Sequence, residues 1–312
     1  DGTVWYNTAT TALKYAIQGA ASWASAPAMN TARAQCGAAG SQTAAIVAGG
    51  AGPSVSANSE TFNGTAWVEG NNLTAAIGLA AGTGGGPQSS ALSISGYNST
   101  WIVQTESWNG TSWSDVGDVN TGRNQGGGAG VSNTSAMFYG GEGPGSPPPQ
   151  VALTETWNGS TWTEVNNLNT GRLMIAGGGP LTAAIGFGGN TTGSGSSHST
   201  LTEKWDGTCW TEVNNLNTSR SGIQPLVTDN TAAIAAGGTV STTAQTVTES
   251  YNGTSWTEVA DIATARYNGS GVGTAALGFI AGGGADPGGA AGSTTTEEWA
   301  DPSYTIKTVT VS

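Results

Sequence analysis

The sequence predicts an all-β protein built from repeated units, and three observations support this prediction. Glycine accounts for 51 of the 312 residues, without the Gly-X-Y period of collagen. Charged residues make up only 9% of the chain, so the surface is expected to consist largely of threonine, serine, asparagine and glycine. A 17-residue motif recurs along the chain, in forms such as TWNGSTWTEVNNLNTGR at 156–172 and KWDGTCWTEVNNLNTSR at 204–220.

The second tryptophan of each motif copy measures the length of the repeat. Consecutive copies are separated by 44, 46, 49, 48 and 46 residues. Periods of this length, with paired glycines and aromatic marks, are typical of β-propellers, in which each repeat folds as one four-stranded blade. We therefore expect residues 1–312 to form one propeller domain. The marker residues are Trp23, Trp67, Trp113, Trp162, Trp210 and Trp256.

Within each period the marks follow a fixed order. An arginine comes about ten residues after the tryptophan, and a glycine pair and then a glutamate two residues before an aromatic follow it. Unit 2 departs from this order, with Ala76 near the expected arginine and Ser95-Gly96 in place of the glycine pair. The order resembles the kelch motif over nearly the whole chain, which implies kelch-like propeller blades. The residues concerned are Arg33, Arg123, Arg172, Arg220 and Arg266, with Glu60, Glu106, Glu155, Glu203 and Glu249.

The Asn-Gly dipeptide inside the motif predicts a tight β-hairpin. A two-residue turn at Asn158-Gly159 would pair Trp157 with Ser160 and Glu155 with Trp162. Because side chains alternate along a strand, the glutamate and both tryptophans would then share one face. We expect the two aromatic side chains of each hairpin to fill the wedge between neighbouring blades.

All five arginines of the protein occupy the same repeat position, which allows two interpretations. They could form a ring of anion-binding guanidinium groups, or each could pair with a repeat glutamate in a buried ion pair that fixes the blade. The favoured interpretation is the ion pair. Pairing within a blade would leave Glu106 without an arginine, whereas pairing with the preceding hairpin would leave Glu60 without one.

The two ends of the chain are expected to close the ring. The N-terminal segment predicts three short strands, Thr3–Asn7, Leu13–Gln18 and Ser22–Ala26. Residues 299–312 begin as a further hairpin, from Trp299 to Tyr304, and continue as an alternating strand. Full closure by 299–312 together with 1–26 removes two exposed edges, which favours seven blades, with six as the alternative.

Composition and motifs predict no catalytic residue, metal or cofactor. The net charge is −12 and the eight lysines and arginines are scattered, so a nucleic-acid-binding face is not expected. No apolar run approaches the 18 residues that insertion into a membrane requires. Cys36 and Cys209 are interpreted as free thiols. The only histidine, His198, has no metal-ligating neighbour or nucleophile in sequence and is predicted to be an exposed loop residue.

The segments after the glycine pairs differ from blade to blade and should emerge on one face of the disk. Constant blades with variable loops are how many proteins build binding surfaces. Tyr97, Trp101, Glu142 and His198 are the candidate binding residues. The alternative is that these segments are plain solvent-exposed loops.

The opening segment GTVWYNTATTALKYAIQGAASW resembles hairpins of bacteriophage tail-fibre and other virion proteins. NGSTWTEVNNLNTGR at 158–172 is similar to kelch-like proteins of marine phages. These resemblances imply a non-enzymatic structural or adhesion module on the virion, and therefore extracellular, with a host-surface glycan or protein and other virion proteins as partners. They also imply multivalent assembly, such as a homotrimer. The alternatives are a secreted bacterial lectin or surface adhesin and, third, a propeller glycosidase or oxidase.

Overall fold

The computed structural model describes residues 4–8, 12–52, 54–82, 86–145, 149–193, 197–285, 292–301 and 304–308. These residues form β-strands, turns and loops, and none of their segments is a helix long and apolar enough to cross a membrane. The strands in chain order are β1 (Val4–Asn7), β2 (Ala12–Gln18), β3 (Ser22–Ala26), β4 (Gly37–Ser41), β5 (Ala44–Ala48), β6 (Ser59–Phe62), β7 (Trp67–Glu69), β8 (Ala81–Gly82), β9 (Ala91–Asn98), β10 (Thr100–Trp108), β11 (Trp113–Asp115), β12 (Gly127–Ser132), β13 (Ser135–Tyr139), β14 (Thr154–Trp157), β15 (Trp162–Val165), β16 (Ala176–Gly178), β17 (Ile185–Phe187), β18 (Thr202–Trp205), β19 (Trp210–Val213), β20 (Gln224–Asp229), β21 (Ala232–Ala236), β22 (Thr239–Val240), β23 (Thr243–Ala244), β24 (Thr248–Tyr251), β25 (Trp256–Glu258), β26 (Ser270–Gly273), β27 (Leu277–Ala281), β28 (Thr296–Ala300) and β29 (Tyr304–Thr308).

The strands build a six-bladed β-propeller. Each blade is a four-stranded antiparallel sheet, and the innermost strands β4, β8, β12, β16, β20 and β26 contact one another in turn around a central channel. Strands β22 and β23 form a separate hairpin that directly follows the glycine pair of the fifth blade. The six sheets are β4-β5-β6-β7, β8-β9-β10-β11, β12-β13-β14-β15, β16-β17-β18-β19, β20-β21-β24-β25 and β26-β27-β28-β3.

The ring closes through the sixth blade, where the N-terminal strand β3 pairs with β28. The expected closure by strands from both ends of the chain is therefore confirmed, but the expected seventh blade is not. Trp299 lies opposite Trp23 and not opposite Tyr304, because β3 already fills the outermost position of the last repeat. The predicted strands before β3 pair with the C-terminal β29 in a three-stranded sheet, β1-β2-β29, that shares no strand with the ring. Thr3, the predicted start of the first strand, lies outside the described residues.

The hairpin register differs from the predicted one. Trp157 lies opposite Trp162, and Glu155 lies opposite Glu164, so four residues rather than two form the turn. The side-chain Oδ1 of Asn158 accepts the backbone N–H groups of Ser160 and Thr161, both at 2.9 Å. This cap stabilises a longer loop in which only the glycine has positive φ. The glutamate and both tryptophans nevertheless share one face, as predicted.

The aromatic pairs pack in the wedges between blades. Six apolar clusters each combine residues from two adjacent blades, one cluster for each interface. In the fourth blade, Trp205 and Trp210 lie with ring centroids 5.6 Å apart, and Trp210 lies 4.9 Å from Tyr139 of the third blade. Burying each of these side chains contributes roughly 2–3 kcal/mol by area. The repeated tryptophans therefore hold the blades together.

Each arginine forms a buried ion pair within its blade. Arg172 donates to Glu203 at 2.9 Å and to the carbonyls of Gly188 and Leu201 at 2.7 and 2.8 Å. Asn169 completes the arrangement by donating its backbone and side-chain N–H groups to the same glutamate. The guanidinium therefore ties the glycine pair to the next strand. The pairs are Arg33–Glu60, Arg123–Glu155, Arg172–Glu203, Arg220–Glu249 and Arg266–Glu297.

In the second blade a carboxylate without an arginine partner, that of Glu106, takes the place of the ion pair. This is the result predicted for pairing within a blade. Glu106 is fully buried and accepts the backbone N–H of Thr74 at 2.8 Å. In the other blades, a bridge joins the residue after the arginine to the residue after the glycine pair. The equivalent bridge of the second blade is Gly78–Tyr97, so Ile77, rather than Ala76, occupies the arginine position. Burial raises the pKa of the Glu106 carboxyl above its ordinary range.

Candidate binding face and its cavity

The variable segments emerge together at one end of the channel, which we call the loop face. The antiparallel order of strands puts the glycine pairs at this end and the Asn-Gly turns at the opposite end, the turn face. In each blade an isolated bridge joins the residue after the arginine position to the residue after the glycine-pair position. The bridges are Ala34–Ala51, Gly78–Tyr97, Asn124–Glu142, Leu173–Asn190, Ser221–Thr239 and Tyr267–Gly284.

The four candidate binding residues occupy two equivalent positions of the blades. Tyr97 and Glu142 follow the glycine-pair position, and Asn190 stands at the same place in the fourth blade. Trp101 and His198 are the cross-strand partners of Tyr97 and Asn190. Three consecutive blades therefore present one cross-strand pair each on the loop face. The partner of Glu142 is Gln150, a residue that sequence reasoning missed.

Glu142 and His198 line the same cavity, which we call the loop-face cavity. It has a volume of about 270 Å³ and lies across blades three, four and five, with Tyr267 from the sixth. Most of its lining side chains can form hydrogen bonds. They include Gln125, Glu142, Asn190, His198, Ser221, Thr239, Ser241, Thr242 and Tyr267.

His198 is held in one orientation by two neighbours. Its Nδ1 lies 2.9 Å from Ser221 Oγ, and its Nε2 lies 3.0 Å from the carbonyl oxygen of Ser241. Because a carbonyl only accepts, Nε2 carries the proton in the neutral ring and Nδ1 accepts from the serine hydroxyl. The prediction of an exposed loop residue is wrong, since the imidazole is half-buried and bridges two blades.

The hydroxyl group beside His198 belongs to Ser221, a residue that the sequence did not point to. The two residues are 23 positions apart, and only the ring of blades brings them together. Ser221 is fully buried in the wall of the cavity, where its hydroxyl orients the imidazole. Among the described residues, no three His, Cys, Asp or Glu side chains converge as metal ligands.

Glu142 supplies the negative charge of the cavity. It is half-buried, and loss of water raises the pKa of its carboxyl, while a hydrogen bond from the Asn124 side chain opposes this rise. Asn124 is itself buried, and within the described ranges its Oδ1 has no partner. The described lining contains no lysine or arginine.

Tyr97 and Trp101 form a separate aromatic platform on the second blade. Their rings meet edge to face with centroids 5.4 Å apart, and both are partly exposed. They do not belong to the lining of the loop-face cavity. The sequence-predicted residues therefore fall into two sites on one face, a polar cavity and an aromatic pair.

A belt of five backbone hydrogen bonds links neighbouring blades along the channel next to the cavity. The second residue before each innermost strand has positive φ, and in five of the six blades its N–H donates to the preceding blade. Met174 donates to the carbonyl of Gln125 at 2.7 Å, and Gly222 donates to Met174 at 3.1 Å. Because Gln125 and Met174 also line the cavity, this belt fixes its floor. The residues of the belt are Gln35, Leu79, Gln125, Met174, Gly222 and Asn268.

Both cysteines are free thiols, as predicted. Cys36 is buried beside the channel, where its Sγ lies 3.1 Å from Ser270 Oγ. Burial raises the pKa of this thiol. Cys209 is exposed beside Asp206 in an outer turn, far from Cys36 in the ring of blades.

Comparison with known proteins identifies the fold alone. No protein-family model matches the chain, and no curated protein sequence matches it. Among 267 chains of solved structures that match is one titled "Structure of YjhT", with a TM-score of 0.73 and 13% sequence identity. The alignment covers 90% of this chain and 99% of that one. This similarity supports the β-propeller architecture.

Proposed function

We propose that the protein is a non-catalytic recognition module that binds a glycan or protein on a host surface through its loop face. One observation carries the proposal. Equivalent positions of the repeated blades hold different side chains on this face, from the Tyr97–Trp101 platform to the polar pair Asn190–His198, which lines the loop-face cavity. Buried ion pairs and tryptophans make the scaffold rigid, so binding does not require ordering of the blades.

We further propose that this module is a kelch-type propeller carried by a phage virion, for example in a tail fibre. The order of arginine, glycine pair and glutamate supports the kelch assignment, because the arginine binds both of the other marks. The resemblance of the opening segment to virion proteins supports the location. Assembly with other virion proteins as a trimer would multiply weak single contacts.

Glycan-array binding of the purified protein, with product analysis of the bound glycans, tests the recognition function. We expect binding without bond cleavage, and weaker binding by Trp101→Ala than by Val68→Ala, a control at an exposed outer-strand position. Cleavage of an arrayed glycan would overturn the non-catalytic assignment. Equal binding by the two variants would overturn the role of the aromatic platform.

Mass spectrometry of purified phage particles tests the location. Peptides of this protein are expected among the virion proteins. Secretion by a bacterial cell without a particle would instead assign the same recognition chemistry to a lectin or adhesin. Light scattering would show whether the protein is the expected trimer.

A further inference from the structure

The loop-face cavity has the size and chemistry of a site for one small polar ring. Its volume of about 270 Å³ lies just below the roughly 300–1,000 Å³ typical of small-molecule sites, which favours a ligand of one ring. Its polar lining comes from separate blades: Glu142, Asn190 and Thr239 each follow a glycine-pair position. Tyr267 adds an aromatic side chain. Hydroxyl, amide and carboxylate groups around an aromatic are suited to a ligand rich in hydroxyl groups.

The charge of the cavity selects among such ligands. Glu142 is an acceptor of strong, charge-assisted hydrogen bonds from hydroxyl or ammonium groups, and it repels carboxylates. The five arginines are buried in their ion pairs. Lys204 donates to the carbonyl of Gly253 at the turn face, and the other two lysines belong to the terminal sheet strands β2 and β29. Within the described residues, no lysine or arginine therefore lines the loop-face cavity to bind an anionic sugar.

The position of His198 is fixed before any ligand binds. Ser221 and Ser241 hold both ring nitrogens, and the belt residues Gln125 and Met174 form the floor. A prearranged lining avoids the entropic cost of ordering side chains on binding. The cavity is thus shaped in the free protein.

We infer that the loop-face cavity binds a single pyranose ring without a carboxylate, a neutral or amino sugar, with Glu142 accepting hydrogen bonds from its hydroxyl or amino groups. This inference rests on the proposed function and names the chemical class that it recognises. A larger glycan would place its terminal ring here while its next residues cross the loop face.

Titration calorimetry with galactose, glucose, N-acetylglucosamine and glucosamine, compared with glucuronic and N-acetylneuraminic acids, tests the inference. We expect at least one uncharged or amino sugar to bind at least about tenfold more tightly than both acids. Preference for an acid, or binding of none of the six sugars, would overturn the inferred subsite. The glycan array would still report separately on the recognition function, because a protein can bind larger glycans through the aromatic platform alone.

Two pairs of variants locate the site. Glu142→Gln should weaken sugar binding at least about tenfold, since a lost hydrogen bond to a charged group costs one to two orders of magnitude. Glu164→Gln removes the same charge from an exposed position of the same blade and should change affinity less than about twofold. Thr242→Trp fills the exposed rim of the cavity and should abolish binding, whereas Thr65→Trp on the turn face should not.

The variants remain informative if one of them folds poorly, because thermal unfolding of each is measured alongside. Wild-type affinity in a folded Glu142→Gln or Thr242→Trp protein would overturn the inferred site. Equal losses in a folded test variant and in its control would overturn it as well.

Discussion

Glu106 shows what the repeated ion pair contributes, because the second blade keeps the carboxylate and lacks the arginine. Thr74 and Ala75 donate backbone N–H groups to it at 2.8 and 3.4 Å, and Ile77 fills the arginine position. A buried charge with hydrogen bonds but no counter-ion is destabilising relative to its neutral form. Asp115, opposite Glu106 on the outer strand, adds repulsion.

Neutralising this carboxylate should affect stability differently from neutralising its paired equivalents. Glu106→Gln should leave the free energy of unfolding within about 1 kcal/mol of wild type, on the stabilising side, because the amide oxygen still accepts from Thr74. Glu155→Gln should lower it by about 3–5 kcal/mol, because Arg123 becomes a buried unpaired charge. Urea unfolding monitored by tryptophan fluorescence measures both. A similar loss in the two variants would contradict this account.

The same residue predicts a pH dependence. The folded-state pKa of Glu106 is raised, so protonation favours the folded protein. The stability gained by proton uptake is fully present below the ordinary pKa of 4.5 and is lost as the pH rises through the folded-state pKa. The advantage of Glu106→Gln over wild type should therefore be largest at neutral pH and shrink on acidification. If the difference in the free energy of unfolding between Glu106→Gln and wild type stays constant from neutral pH to below 4.5, the predicted direction of the pH dependence is wrong.

At the scale of the element, the hairpin shows how far sequence reasoning reaches. Alternation along the strands placed Glu155, Trp157 and Trp162 on one face, and that prediction is confirmed. The register was wrong by two residues, because the Asn158 side chain caps a four-residue loop, a local hydrogen bond that the Asn-Gly dipeptide does not distinguish from a two-residue turn. The face on which a side chain lies follows from alternation along the strand, whereas the pairing register of the hairpin also depends on how side chains cap the loop.

Hydrogen bonds between hairpins of adjacent blades supply a matched test. Trp162 donates its indole N–H to Thr105 Oγ1 of the preceding blade at 3.1 Å, whereas the buried Trp113 indole has no partner within the described residues. Both rings are packed against a second tryptophan. Trp162→Phe should therefore lower the free energy of unfolding by about 1–2 kcal/mol more than Trp113→Phe. Chemical denaturation of both variants checks this difference, and equal losses would show that the indole bond contributes nothing.

At the scale of the whole molecule, the repeat period predicted the propeller but not its blade number. Six markers left the two chain ends to be assigned, and counting them as an extra blade overlooked that β3 completes the sheet of β26, β27 and β28. The candidate site was predicted in part. Loop composition pointed to Glu142 and His198, but their convergence with Ser221 and Thr239 depends on how the blades are arranged around the axis.

Closure by β3 predicts how truncations behave. Removing residues 1–26 should abolish cooperative unfolding, because β28 becomes an unpaired edge and Trp299 loses the Trp23 ring that lies 5.2 Å away. Removing residues 1–18 together with 304–312 deletes only the terminal sheet and should preserve the cooperative transition. Calorimetry of both proteins measures this contrast. Cooperative melting of the protein that lacks residues 1–26, and therefore β3, would contradict this prediction.

The direction of β3 and β28 has a consequence for how the molecule is displayed. β3 begins and β28 ends beside the Asn-Gly turns, so the polypeptide enters and leaves the propeller through the same side. The segments that precede β3 and follow β28 therefore lead away from the ring at its turn face. Copies mounted on a support by their ends would all point the cavity and the aromatic platform outward, leaving both unobstructed towards the opposing surface.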